Sequence, residues 1–157
     1  AIKVHQLAKY RSEFLGRLRE VLGVRSDVQI VGDRFVFQSE VLFSSGSAEI
    51  AKGGQAQLVQ FAKTLKEIAS KMPKDLDWVL RVDGHTDRRP IKTIQFPSNW
   101  ELSAARAISV VKFFKAQGLP SNRLAAAGFA SFFPLDRRRD EIAYRRNRRI
   151  EMKFDQR

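Results

Sequence analysis

The stretch GHTDRRPIKTIQFPSNWELSAARA, from Gly84 to Ala107, carries the residue types from which a receptor for a small zwitterion can be built. Asp87 sits just past a strand end, where a side chain is presented and not buried, and Gly84 allows the backbone to turn sharply. Two helical turns separate Asn99 from Arg106, so both lie on one stripe of the helix that follows. An acid, an amide and a guanidinium can therefore converge over one pocket. Arginine offers a carboxylate two parallel hydrogen bonds, and aspartate receives an ammonium. Taken singly, a loop aspartate is an ordinary turn former and a helical arginine an ordinary solvated side chain; the combination gives them meaning.

Arg148 adds to the set, since it shares the parity of Ile150, Met152 and Phe154, the inward positions of the last strand, and an inward arginine needs an anion or acceptors. Its alternative is a route to solvent beyond the packed part of the strand. Arg149, on the other parity, is expected at the surface. Catalysis is disfavoured: His5 and His85 are far apart, no serine sits in a nucleophile elbow, and no ligand spacing for a metal occurs. His85 with Asp87 lacks further ligands, so His85 is expected as a loop residue hydrogen-bonded to backbone.

The elements that must position these residues follow from periodicity. A helix over about His5–Val24 is predicted by Leu7, Tyr10, Phe14, Leu18 and Val21, with Gly23 as its stop. Its narrow apolar stripe on a basic background suits a docked or self-associating helix better than a membrane-surface one. Val28–Val31 and the alternating Phe35, Phe37, Ser39, Val41 and Phe43 form a hairpin through a type II′ turn at Gly32-Asp33 that feeds a core strand. Leu58, Phe61, Ala62, Leu65, Ile68, Ala69 and Met72 make the clearest helix, stopped by Pro73.

Trp78, Leu80 and Val82 give the next strand, closed by Asp83-Gly84. Ser98 and Glu101 are the capping box of a helix running to about Ala116. Trp100, Ala104, Ala107, Val111 and Phe114 are its core stripe; Asn99, Leu102, Ser103 and Arg106 form the adjacent one, facing the preceding loop. Strands at Arg123–Ala130 and around Ile150 complete a βαβαββ order after the hairpin. The expected fold class is α+β, an α/β sandwich with helices on one face of a small mixed sheet.

The chain has 157 residues, 43% apolar with 12 Phe, enough for one core. Its formal charge of +12 favours anionic partners without choosing among them. The lack of cysteine excludes disulfides, thiolate metal sites and cysteine nucleophiles. No window spans a bilayer and AIKVHQLAKYRSEF has no signal-peptide core, so the fragment as given reads as soluble. Arg137-Arg138-Arg139 and Arg145-Arg146-Asn147-Arg148-Arg149 raise an alternative, a basic domain for nucleic acid or another anionic polymer. Against nucleic acid, no aromatic interleaves the arginines, and Asp136, Asp140 and Glu141 interrupt them.

In order along the chain, GHTD, SNWELSAARA, GFASFFP and NRRIEMKF resemble the peptidoglycan-binding domain shared by the OmpA C-terminal family and the flagellar stator protein MotB, over roughly Arg34 to Phe154. LFSSGSAEI and the long loop RRPIKTIQFPSNWELS are more similar to the MotB-like branch. The resemblance implies a ligand, the diaminopimelate of the wall stem peptide, with Asp87 on its ammonium and Arg106 on its carboxylate. Asn99 would add hydrogen bonds, Arg148 would support the anionic end or brace Asp87, and Thr86, Leu102 and Ser103 would line the pocket. Ser44 departs from the Asp common in outer-membrane relatives, and AYRRNRR lacks their Gly-Arg-Ala lead, which leaves Tyr144 and Arg145 without a role.

By the same resemblance, residues 1–24 are a lead-in and 25–157 the wall-binding domain of a periplasmic, inner-membrane-anchored protein. It would be a homodimer with a MotA-like partner engaged through a segment absent from this chain. No cofactor, metal or nucleic acid is implied. Flagellar stator, another stator-like complex such as anti-phage defence, and passive outer-membrane or wall tether all stay open.

Overall fold

In the computed structural model, which describes residues 2–22 and 28–157, the apolar stripes of three helices meet one face of a five-stranded sheet. The Gly23 stop and the boundary at 24 and 25 lie outside the described residues. The strands are β1 (Val28–Val31), β2 (Arg34–Gln38), β3 (Trp78–His85), β4 (Leu124–Gly128) and β5 (Arg149–Gln156), in the order β1-β2-β5-β3-β4. Only β3 and β4 pair in parallel; the other neighbours are antiparallel. The helices are α1 (Ile2–Leu22), α2 (Ser39–Leu42), α3 (Lys52–Ala69), α4 (Asn99–Ala116) and α5 (Glu141–Asn147). Apart from the short α2 and α5, the order from β2 onwards is βαβαββ, and the expected α+β class is borne out.

Inward positions of the strands, Phe35 and Phe37, Trp78, Leu80 and Val82, and Ile150, Met152 and Phe154, join Phe61 of α3 and Phe114 of α4 in one core. Phe14 of α1 sits among them, 4.9 Å from the Phe61 ring and 5.1 Å from Phe35. Removing so enclosed a ring costs about 3–5 kcal/mol, so α1 contributes to the same core as the sheet. No helix among the described residues is long and apolar enough to cross a membrane.

Four local readings of the sequence need correction. The alternation from Phe35 to Phe43 is not one strand: β2 ends at Gln38, and the single turn α2 returns Leu42 and Phe43 to the core. Ser39 and Phe43 at its two ends are buried as strand alternation would have them, which is why it looks like strand, but Leu42 between them breaks the alternation. Gly84 is no turn residue, because β3 continues to His85. Gly84 instead faces Gly128 across the parallel pair, under α4; a Cβ at Gly84 would stand 2.1 Å from the Ser103 carbonyl oxygen, and one at Gly128 2.6 Å from the Ala104 nitrogen.

Trp100 is 52% exposed and rests on Phe132. The buried arc of α4 is Leu102, Ser103, Arg106, Ala107, Val110 and Phe114, so it takes in most of the stripe assigned to the loop. The start of α4 is capped by Ser98, whose hydroxyl accepts from the Trp100 N–H and donates to the Glu101 carboxylate. Finally, α5 interrupts what reads as a loop into the last strand, capped by Asp140 accepting from the Ala143 N–H.

Candidate functional site

The ends of β3 and β5, the start of α4, and α2 surround a cavity of about 540 Å3. Asp87, two residues past β3, is held there because the Thr86 N–H donates to the Ala130 carbonyl and the Thr86 hydroxyl to the Asp87 carbonyl. The Asp87 carboxylate accepts from Arg148 Nη1 at 2.7 Å, from Arg89 Nη2 at 2.9 Å and from the Arg89 backbone N–H at 2.8 Å. Burial alone would raise this carboxyl, but the bonds from Arg89 and Arg148 outweigh it and hold it below the usual range.

Arg148 reaches the cavity by a route other than strand parity. It is the C-cap of α5, and its N–H bonds the Tyr144 carbonyl. From that corner its guanidinium also binds Glu40 of α2 at 2.6 Å and Glu141 of α5 at 3.2 Å. Burial acts to lower its pKa, and the three carboxylates raise it further. Its carbonyl accepts from the Ser39 N–H, which ties α2 to the same corner.

Arg106 stands apart. It is 4% exposed, its guanidinium donates to the Ser47 and Ser44 carbonyls at 2.8 and 3.3 Å, and it lies over the Phe43 ring at 5.0 Å. Among the described residues no carboxylate comes within 4.0 Å of it, and burial lowers its pKa to about 10. The cavity thus has one pole where Asp87, Glu40 and Glu141 gather around Arg148, and another where a buried cation has only carbonyls and an aromatic face.

Of the residues expected at the site, Asp87, Arg106, Arg148, Thr86, Leu102 and Asn99 line the cavity. The Asn99 amide donates to the Arg89 and Asp87 carbonyls at 3.1 and 3.4 Å, so it fixes the loop that carries the acid. Ser103 lies outside the lining: its hydroxyl is fully buried, accepting from the Ala130 N–H and donating to the Trp100 carbonyl. Glu40, Glu141, Arg89 and Phe43 line the cavity without having been anticipated. Of these, Arg89 alone has a signal in the sequence, its place two residues after Asp87. Tyr144 acquires a contact, its ring lying 4.7 Å beneath the Arg89 guanidinium.

The opposite sheet face holds a second charged group. Arg149, expected at the surface, is 2% exposed, because the loop after β4 covers this face and the Phe133 carbonyl accepts from Arg149 Nη2. Arg149 pairs with Glu151 at 2.6 Å, Arg34 joins Glu151 at 2.7 Å, and Arg81 grips Asp83. His85 points into this group and away from Asp87; neither ring nitrogen has a hydrogen-bond partner, contrary to the expected backbone bond, and the ring stacks on Phe129 at 5.1 Å. Burial, then the Arg149 charge, lowers His85 to about 4, so it is neutral at pH 7. Asp83, His85 and Glu151 offer ligand atoms within 4.8 Å of one another, but three guanidiniums against two carboxylates oppose a cation there.

Comparison with known proteins agrees with this architecture. An uncharacterized protein, YtxE, of Bacillus subtilis (strain 168) is 41% identical over 118 residues, covering 74% of this chain and 46% of that relative, so the chain spans less than half its length. A Desulfovibrio vulgaris structure described as MotB like superposes with a TM-score of 0.79 at 26% identity, over 100% of this chain and 97% of that one. The cell wall anchor of the Pseudomonas aeruginosa T6SS gives a TM-score of 0.70 at 31% identity, over 90% and 93%. The OmpA family model matches residues 42–148, which run from α2 through the cavity to Arg148, and with that span the chain belongs to the OmpA family.

Proposed function

We propose that this chain binds peptidoglycan non-covalently by receiving the free amino-acid end of a diaminopimelate stem peptide in the cavity. One observation carries the reading: among the described residues Arg106 is a buried guanidinium without a carboxylate partner, set opposite an acid cluster in the same cavity. A buried cation of this kind suits the carboxylate of a ligand. The ligand carboxylate would join Arg106, and its ammonium would join Asp87, with Glu40 and Glu141 nearby. Thr86 and Leu102 line the space between, Asn99 holds the loop, and Arg148 braces Asp87. The likeness to a cell wall anchor supports the same reading.

The module is a binder and not an enzyme, its acids being held by guanidiniums. Residues 1–24 serve as a lead-in from a membrane-anchored segment and 25–157 as the wall-binding domain, placed in the periplasm. A homodimer with a MotA-like partner, working as a stator, is the arrangement we favour for the parent protein.

Calorimetric titration with meso-diaminopimelate, and sedimentation with purified sacculi, test the site in wild type, Asp87→Ala and Arg106→Ala. Wild type should bind, and each variant should lose most of its affinity. Equal affinity in all three would sink the assignment. A salt series separates this from polyanion binding, since a pocket for one zwitterion should respond weakly and a phosphate-tracking surface steeply.

A further inference from the structure

Apart from Val21, Val31, Ile94 and Ile108, the exposed large apolar side chains among the described residues are Trp100 and four from one short segment. Phe132, Phe133, Leu135 and Ile142 fall in one short segment, and Trp100 abuts Phe132 at 5.3 Å. Phe132 is 64% and Ile142 63% exposed. Between and beyond them stand Arg137, Arg139 and Arg145, all exposed and, among the described residues, without an ion-pair partner, whereas the acids of the segment, Asp136, Asp140 and Glu141, each face an arginine. Their neighbours differ: Arg138 and Arg146 are both committed to Asp136, at 2.8 and 3.3 Å.

This segment is held as one surface. The Leu135 and Asp136 N–H groups donate to the Asn147 side-chain oxygen at 2.8 and 2.9 Å, and the Asn147 amide returns a bond to the Asp136 carbonyl at 2.7 Å. The loop is thereby fastened to the end of α5, and the apolar and cationic side chains project from one ordered piece of chain.

Apolar side chains set among unpaired arginines match the boundary between acidic headgroups and acyl chains, where each kind of group finds its own solvent. We propose that segment 132–146 is a docking surface for an anionic phospholipid bilayer. Charge complementarity selects this occupant. A second copy in a self-complementary contact would bring the unpaired arginines of one protomer against those of the other. A soluble polyanion would engage the arginines and leave Phe132 and Ile142 in water. The surface does not depend on the wall-binding reading: Glu141 of this segment lines the cavity, but Phe132, Ile142, Arg137, Arg139 and Arg145, on which the proposal rests, do not.

Flotation with vesicles of equal parts phosphatidylglycerol and phosphatidylcholine, against phosphatidylcholine alone, tests the proposal. Wild type should bind only the acidic vesicles. Arg137→Ala/Arg139→Ala/Arg145→Ala should weaken binding about 100-fold, from the attraction of three charges near a surface. Phe132→Ser/Ile142→Ser should weaken it at least about 10-fold while leaving affinity for soluble polyphosphate unchanged. Both variants should keep the wild-type unfolding temperature. Failure of wild type to float overturns the proposal. Wild-type binding by the Ser/Ser variant also overturns it and reassigns the surface to soluble polyanions. A wild-type dimer that dissociates in the Ser/Ser variant overturns it in favour of a second copy.

Discussion

Two groups of charged side chains lie on either side of the end of β3, and their composition is nearly the same. On the outer sheet face Arg34, Arg81 and Arg149 meet Asp83 and Glu151; in the cavity Arg89, Arg106 and Arg148 meet Asp87, Glu40 and Glu141. The outer group is closed, with each carboxylate gripped by arginine and the loop after β4 laid over it. The cavity group is open, and its buried Arg106 pairs with no acid among the described residues. Titration directions do not separate the two groups: burial raises Asp83, but arginine bonds hold Glu151 of the same outer group low, as they hold Asp87 in the cavity. Charge inventory therefore does not mark a binding site. What separates the two groups is a buried charge that faces only carbonyls and an aromatic ring beside open space, the feature on which the proposed site rests.

The sharpest way to break this comparison is Arg149→Ala. It leaves Glu151 buried with only Arg34 as an arginine partner, and should cost about 3–5 kcal/mol of stability in urea unfolding. Ligand affinity of the folded fraction should be unchanged; an affinity loss as large as that of Arg106→Ala would erase the distinction between the groups. Arg106→Ala should do the reverse, weakening meso-diaminopimelate binding by about 2–5 kcal/mol while the unfolding transition shifts far less.

The third effect is in pH. With His85 lowered to about 4 in the fold, the unfolded chain takes the proton first as pH falls below about 6.5. Stability should therefore decline from pH 6.5 to 4, by at most about 3 kcal/mol, and His85 should contribute no further slope below that. His85→Phe loses no hydrogen bond and should flatten this window in urea titrations; an unchanged slope would place the proton uptake elsewhere. Asp87, whose pKa is lowered, contributes stability that is lost only as pH falls below the ordinary carboxylate range, so the two groups titrate in different windows. The smallest effect should come from Arg89→Ala. That side chain is half exposed on Asp87, and thermal unfolding should register less than about 1 kcal/mol.

The legible parts of the molecule are those where one periodicity acts alone. α3, β3 and α4 follow from apolar spacing, and Asp87 with Arg106 follows from a strand end and a helix stripe. Where two conformations share a parity, the sequence does not choose between them, which is how α2 passed for strand and hid Glu40. Arginine-rich α5 lacks the apolar stripe that announces a helix, so the sequence assigns Arg148 to a strand and carries no signal for Glu141. Outward parity on β5 implied solvent for Arg149 because nothing local foretold that the loop after β4 would fold over that face. Ser103 has the right stripe but the wrong neighbour, the backbone at Ala130.

Gly84 and Gly128 have a consequence for selectivity. With bare backbone under both, the separation between Asp87, at the end of β3, and Arg106, on α4, is fixed by main chain resting on main chain. The domain thus holds a caliper whose jaws are the two charges and whose stop is a pair of missing methyl groups. Alanine at either glycine should push α4 outward and reset the gauge, so on the proposed reading a ligand matched in the length between its amine and its acid should be refused although every residue proposed to touch it remained.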